Sequence, residues 1–159
     1  MYDTEGLSIT GTPCPDDAPR AVKSYDETRK AHLGCMVCGE GRPDAPAFGL
    51  RFLPNPAGGV LATFRTERRY QGYAGILHGG VISTLLDAAM VHCLFARGVR
   101  AVTAEMTVRF LREVPVDSDV SVAANLIGER HGVFQMAASL SRAGTRFAMA
   151  KGKFCRCAR

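Results

Sequence analysis

The sequence predicts an α+β fold in which a six-stranded antiparallel sheet wraps one long central helix. Three observations carry this expectation. Residues 79–96 are apolar on nearly every side, interrupted by Asp87 and His92, and a helix with no polar face has to be enclosed. The stretches before and after it change to a hydrophobic period of two, as strands with one buried face do. The order reads two strands, one helix, four strands, and only a sheet curling around the helix can then cover all of its surface.

Taken in order, residues 1–19 hold three prolines and two glycines among Ser, Thr and Asp, which reads as a flexible leader. Residues 20–159 are expected to form a single domain, large enough for a core of its own. Pro19 suits the first turn of a helix over Arg20 to Leu33, and Gly34 suits its end. A connector rich in Gly and Pro follows from Cys35 to Ala47. Phe48 to Leu53 is expected to be a short strand, stopped by Pro54-Asn55-Pro56. After a turn at Gly58-Gly59, Val60 to Arg69 alternates apolar and polar residues as the next strand. Tyr70 to Leu77 is an irregular approach to the helix, which runs from Gly79 or Gly80 to Ala96 and is closed by Gly98. On that helix residues 82, 85, 86, 89 and 93 share one face, and Asp87 shares another with Ser83 and Met90.

Beyond the helix, Val102, Ala104, Met106, Val108 and Phe110 alternate with Thr103, Glu105, Thr107 and Arg109 in one long strand that breaks at Pro115. Val120 to Gly128, about Val133 to Ser141, and Thr145 to Arg156 complete a meander joined by tight turns at Gly132 and Gly144. No internal repeat is visible.

Composition excludes several roles. The longest apolar run, Val81 to Ala96, is too short to span a membrane. The first residues, Met-Tyr-Asp-Thr-Glu, are not those of a signal peptide, so a cytoplasmic protein is expected. The net charge of +5 comes without a nucleic-acid motif, so no nucleic acid and no membrane partner is expected. Mild basicity fits a solvated surface, or attraction of an anionic ligand. Six cysteines in such a chain should be mostly reduced. Cys35-Met-Val-Cys38 and Cys155-Arg-Cys157, together with His32, hold enough donors for a zinc site. Their spacing is not distinctive, and we read them as small core residues and a tight turn, with no metal and no cofactor.

Asp87 is the residue that asks for an explanation, because a carboxylate inside an apolar helix needs a partner or a purpose. His78-Gly79-Gly80 stands just before that helix, nine residues upstream of Asp87. The stretch Gly75-Ile-Leu-His78-Gly79-Gly80-Val81 with Asp87 resembles the hotdog-fold acyl-CoA thioesterases of the phenylacetic-acid-degradation (PaaI-like) family. Cys35-Met-Val-Cys38-Gly39 leading to Gly49-Leu50-Arg51-Phe52, Tyr70-Gln71-Gly72-Tyr73, Val102-Thr103-Ala104, and Val108-Arg109-Phe110-Leu111 with Pro115 are similar to one branch of it. The resemblance covers roughly residues 32–155.

The resemblance implies hydrolysis of a medium-chain or aromatic acyl-CoA to the free acid and coenzyme A. Asp87 takes the place of the catalytic base or nucleophile, and His78, Gly79 and Gly80 form the turn that presents the helix start to the thioester. Thr103 stands where a hydroxyl orients the attacking water. Gln71 is the nearest replacement for an upstream amide that several members carry, and Tyr73 and Ser83 are further substrate-binding candidates. The family also implies a homodimer or homotetramer with sites shared between subunits. Backbone N–H groups at a helix start suit an oxyanion, and glycines let a carbonyl approach them. Each residue also has a plainer reading. Asp87 could be bonded to a turn, His78 could only position the backbone, and Thr103 could be an ordinary strand residue. His92, five residues after Asp87, is turned from it by about 140° of helix rotation, and we read it as a core or surface histidine rather than part of a hydratase dyad. A hotdog enoyl-CoA hydratase and a non-catalytic acyl-CoA-binding module are the alternative functions.

Overall fold

The computed structural model describes residues 25–41 and 47–157. The expected leader, residues 1–19, and the expected start of the first helix lie outside them. Six strands form one sheet: β1 (Leu53–Pro54), β2 (Val60–Thr66), β3 (Ala101–Phe110), β4 (Ser118–Arg130), β5 (Val133–Arg142) and β6 (Thr145–Arg156). Their spatial order is β1-β2-β4-β5-β6-β3, and every neighbouring pair is antiparallel. The central helix, α1, spans Gly79–Phe95 and packs against β2 through β6.

The helix is enclosed because its sequence leaves no other option. Leu85, Leu86, Met90, Leu94 and Phe95 are fully buried, and they meet Val122, Phe134, Met136, Leu140 and Phe154 from the sheet in one core. Met90, expected on the same face as Asp87, is fully buried. Gly152 on β6 leaves the room, since a β-carbon there would stand 3.2 Å from the Met90 sulfur. Gly98 has φ +66°, and the Val99 N–H reaches back to the Leu94 carbonyl at 3.0 Å. This left-handed cap ends the helix where expected.

Alternation is faithful in the inner strands. Val60, Ala62, Phe64 and Thr66 of β2 are buried, and the residues between them are exposed. Val120, Val122 and Ala124 of β4 are likewise buried. Three expectations fail locally. β2 ends at Thr66 rather than Arg69, because Arg68–Tyr70 tightens into a 3-10 turn. Of the expected strand Phe48 to Leu53 only Leu53 pairs with the sheet, joined by Pro54, which was expected to stop it. The Phe48 and Leu50 N–H groups bond instead to the Met36 and Val37 carbonyls, at 2.9 and 3.0 Å, so this extended stretch holds down the cysteine connector. The expected helix over Arg20 to Leu33 is helical at 25–29 and ends in a 3-10 turn, Lys30–His32.

The third-strand pattern is the most informative failure. Val102 is 58% exposed and Phe110 55%, whereas Met106 and Val108 pack against the core. The pairing of β3 with β6 runs Thr103 to Phe154 and then Glu105 to Lys153, with a register shift that leaves Ala104 as an extra residue. A bulge of this kind reverses the facing of every residue on one side of it.

Candidate functional site

The approach to α1 is a backbone loop pulled tight. Gln71 and Leu77 form an isolated antiparallel bridge, the Gly72 N–H meets the Ile76 carbonyl and the His78 N–H meets the Tyr70 carbonyl, both at 2.9 Å. The Gln71 side chain closes the same loop by accepting from the Gly75 N–H at 3.2 Å. Its amide oxygen is thus occupied in building the turn. Tyr73, at the loop tip, is 84% exposed.

His78 caps the helix. Its Nδ1 accepts from the Gly80 N–H at 2.9 Å, which satisfies one of the donors every helix start leaves without an internal partner. An accepting Nδ1 places the neutral ring's proton on Nε2. A β-carbon at Gly80 would lie 2.9 Å from the ring nitrogen, so glycine is what lets the ring fold over the backbone. Ser83 Oγ donates to the Gly79 carbonyl at 3.0 Å. Gly79 itself faces the Phe110 ring at the far end of β3, 3.5 Å from where its β-carbon would stand.

Two turns further along, Asp87 is half-buried and accepts a hydrogen bond from Thr103 Oγ1 to Oδ1 at 2.6 Å. Charge-assisted O–H bonds of this length are among the stronger ones in proteins. The Ala104 bulge makes it possible. Strict alternation back from Val108 and Met106 would put Thr103 on the outer face, and the extra residue turns it toward the helix. Sequence pattern pointed to Thr103 by resemblance but held no sign of the bulge.

Within one chain these residues form two groups rather than one. His78, Gly79, Gly80, Ser83 and Gln71 gather at the helix start, and Asp87 with Thr103 stands eight residues later. At the rise of an α-helix, Gly79 and Asp87 are separated by about 12 Å along the axis. That is several times the reach of one thioester carbonyl and its attacking water.

A pocket opens beside Asp87. Thr84, Asp87 and Val91 line one side, and His32, Cys35 and Cys38 the other. The second set stands out in the sequence as a CxxC with a nearby histidine, but nothing in the spacing places it next to Asp87. Tyr25 carries no sequence signal of its role. Its hydroxyl lies 2.7 Å from His92 Nδ1 and donates to the Phe52 carbonyl at 3.1 Å. His92 is fully buried and stacked on Phe52 with ring centroids 4.4 Å apart. Burial, with smaller effects of His32 and Arg29, lowers its pKa to about 3, so it is a neutral core residue near pH 7. The same burial pushes Tyr25 up to about 12.

Residues 74–137 match the family model of the thioesterase superfamily. The matched stretch runs from the glycine turn through α1, β3 and β4 into β5, and so contains both groups of candidate residues except Gln71. This stretch is similar to the thioesterase superfamily. Bovine acyl-coenzyme A thioesterase THEM4 is 38% identical over 75 residues, which are 47% of this chain and 30% of that protein. The chain therefore spans under a third of the length of the mammalian relatives it matches. The PaaI protein of E. coli, from the phenylacetic acid degradation operon, superposes with a TM-score of 0.71 over 86% of this chain and 95% of its own, at 18% identity. A hypothetical thioesterase of Streptococcus pneumoniae, solved with coenzyme A, gives a TM-score of 0.63 over 69% and 88%, at 17% identity. The structural likenesses show the hotdog fold. Among the described residues no helix is long and apolar enough to cross a membrane.

Proposed function

We propose that this chain is a cytoplasmic acyl-CoA thioesterase that hydrolyses a medium-chain or aromatic acyl-CoA to the free acid and coenzyme A. The observation that carries the reading is the Asp87–Thr103 hydrogen bond, which lies in the stretch matching the thioesterase superfamily and beside a pocket. Asp87 accepts a proton from water, whose oxygen adds to the thioester carbonyl. The C–S bond then breaks and the sulfur takes that proton from Asp87, leaving as the thiol of coenzyme A beside the free acid. If the carboxylate attacks that carbon directly instead, the C–S bond breaks to give a mixed anhydride. Water hydrolyses it to the free acid and Asp87 while its proton passes to the departing sulfur. Thr103 spends its only proton on Asp87, so it holds the carboxylate in place and can still accept a hydrogen bond from water. The carbonyl oxygen is received at a helix start by the Gly79 N–H, joined by the Gly80 N–H when the His78 ring releases it.

The separation of about 12 Å between turn and carboxylate favours a site completed by a second copy. β3 is a free sheet edge, and its Val102 and Phe110 side chains are exposed. Such an edge is a template for pairing. Antiparallel pairing of two β3 strands across a two-fold axis lays the Phe110 end of one chain against the Thr103 end of the other. The glycine turn of one copy, beside Phe110, then comes to the Asp87 of its partner. A homodimer, alone or doubled into a tetramer, follows from this arrangement.

Thiol release from a panel of acyl-CoA esters tests the function. Hydrolysis with a medium-chain or aromatic preference supports it. Hydration of an enoyl-CoA without thiol release, or saturable binding with no turnover of any ester, overturns it. Mixing Asp87→Asn chains with Gly80→Ala chains, each inactive alone, should restore activity in hybrid dimers. No restoration, with hybrids verified by mass spectrometry, would refute the shared site.

A further inference from the structure

The cysteine connector folds more tightly than a simple linker. The Cys35 N–H bonds to the His32 carbonyl at 3.0 Å and the Gly39 N–H to the Cys35 carbonyl at 2.8 Å. These two successive turns bring His32, Cys35 and Cys38 to one side of the chain. Gly39 is required, because a β-carbon there would collide with the Cys35 and Leu33 carbonyl oxygens. The ligating atoms of His32, Cys35 and Cys38 all lie within 4.8 Å of one another, and His32 Nδ1 stands 3.9 Å from Cys38 Sγ. In a tetrahedral zinc site, with Zn–S near 2.3 Å and Zn–N near 2.1 Å, neighbouring donors stand about 3.6–3.8 Å apart. The three atoms are therefore within about 1 Å of zinc spacing.

The surroundings suit a metal as well. The Val37 N–H points at Cys35 Sγ, 3.4 Å away. The His32 ring rests edge-on against Phe95, with centroids 4.8 Å apart.

We propose that His32, Cys35 and Cys38 form a zinc-binding site in the wall of the pocket that Asp87 lines. Two sulfurs and one imidazole select Zn2+ over Mg2+ or Ca2+. Binding forms two Zn–S bonds and one Zn–N bond and releases the two thiol protons to solvent, with no change of oxidation state. Three protein ligands leave the fourth tetrahedral position to water. Among the described residues the cluster leaves out Cys155 and Cys157, so the terminal pair is not part of the site.

Co2+ titration of the full chain, reduced and stripped with a chelator, tests this without reference to hydrolysis. One equivalent should produce the visible bands of tetrahedral cobalt and a thiolate-to-cobalt charge-transfer band, and Zn2+ should bleach both. Cys35→Ser, Cys38→Ser and His32→Ala should each weaken binding by more than about 100-fold; a Cys155→Ser/Cys157→Ser double variant should not. Alkylation mapping of the unmodified chain tests the same site without requiring any variant to fold. Zn2+ should protect Cys35 and Cys38 and leave Cys155 and Cys157 reactive. Absence of the charge-transfer band at stoichiometric Co2+, or protection of the terminal pair instead, would overturn the site whatever the outcome of the thioesterase assay.

Discussion

Asp87 and His92 stand five residues apart on one apolar helix and meet opposite surroundings. Asp87 turns toward the sheet's edge strand, stays half-open, and takes a short hydrogen bond from Thr103. His92 turns toward the N-terminal segment, is sealed off, and is held between the Tyr25 hydroxyl and the Phe52 ring. Polarity in a buried helix therefore carries no single meaning. A polar side chain that reaches an open edge is free to meet substrate. One that is covered by its own chain becomes part of the core, neutralised by desolvation.

Replacing each of the two residues tests this contrast most directly. Asp87→Asn should lower the rate of thiol release by about 10²–10⁴-fold, as for a positioned acid–base group, with unchanged circular dichroism. His92→Leu should leave the rate near that of the parent chain and reduce stability instead. Equal loss of activity in both would erase the distinction. Next in size, Thr103→Val should lower the rate by about 10–100-fold, the worth of a hydrogen bond to a charged group. Deletion of Ala104 should straighten β3 yet leave Thr103 opposite Phe154 and turned inward, so the rate should fall less than in Thr103→Val. A deletion variant as slow as Thr103→Val would mean that Ala104 is not simply the extra residue of the pairing.

The histidine side of the contrast has a pH signature. The folded pKa of His92, about 3, lies below the ordinary unfolded value near 6.5, so the unfolded chain binds the extra proton. Stability is then fully present above about pH 6.5 and declines as pH falls toward 3, by on the order of 1 kcal/mol per pH unit from this group. His32, also lowered, adds in the same direction. Urea midpoints between pH 8 and 5 check the slope, which His92→Leu should flatten. The smallest effect is expected for Tyr25→Phe. Loss of the hydroxyl between Phe52 and His92 should destabilise the fold by about 1–2 kcal/mol while thiol release persists.

Much of this was legible because it is local. Val60, Ala62 and Phe64 alternate on a strand whose two faces differ, and Gly98 ends a helix by its own backbone geometry. His78-Gly79-Gly80 caps a helix through a bond between residues two apart. The failures are of another kind. Phe48 to Phe52 has the composition of a strand, yet its N–H groups are claimed by carbonyls of the cysteine connector, which no periodicity reveals. β3 reads as perfect alternation, yet the pairing with β6 inserts Ala104, and Val102 is turned out as Thr103 is turned in.

By itself, then, the amino-acid sequence determined that one apolar helix must be wrapped by an antiparallel sheet, and that Asp87 needed a reason to be there. Hydrophobic period and capping are properties of neighbouring residues, so they can be read along the chain. Tertiary structure alone decided that Thr103 meets Asp87 and that His32, Cys35 and Cys38 gather in the wall of the same pocket. Each of these depends on strand register or on the packing of segments distant in sequence, and no local pattern encodes them.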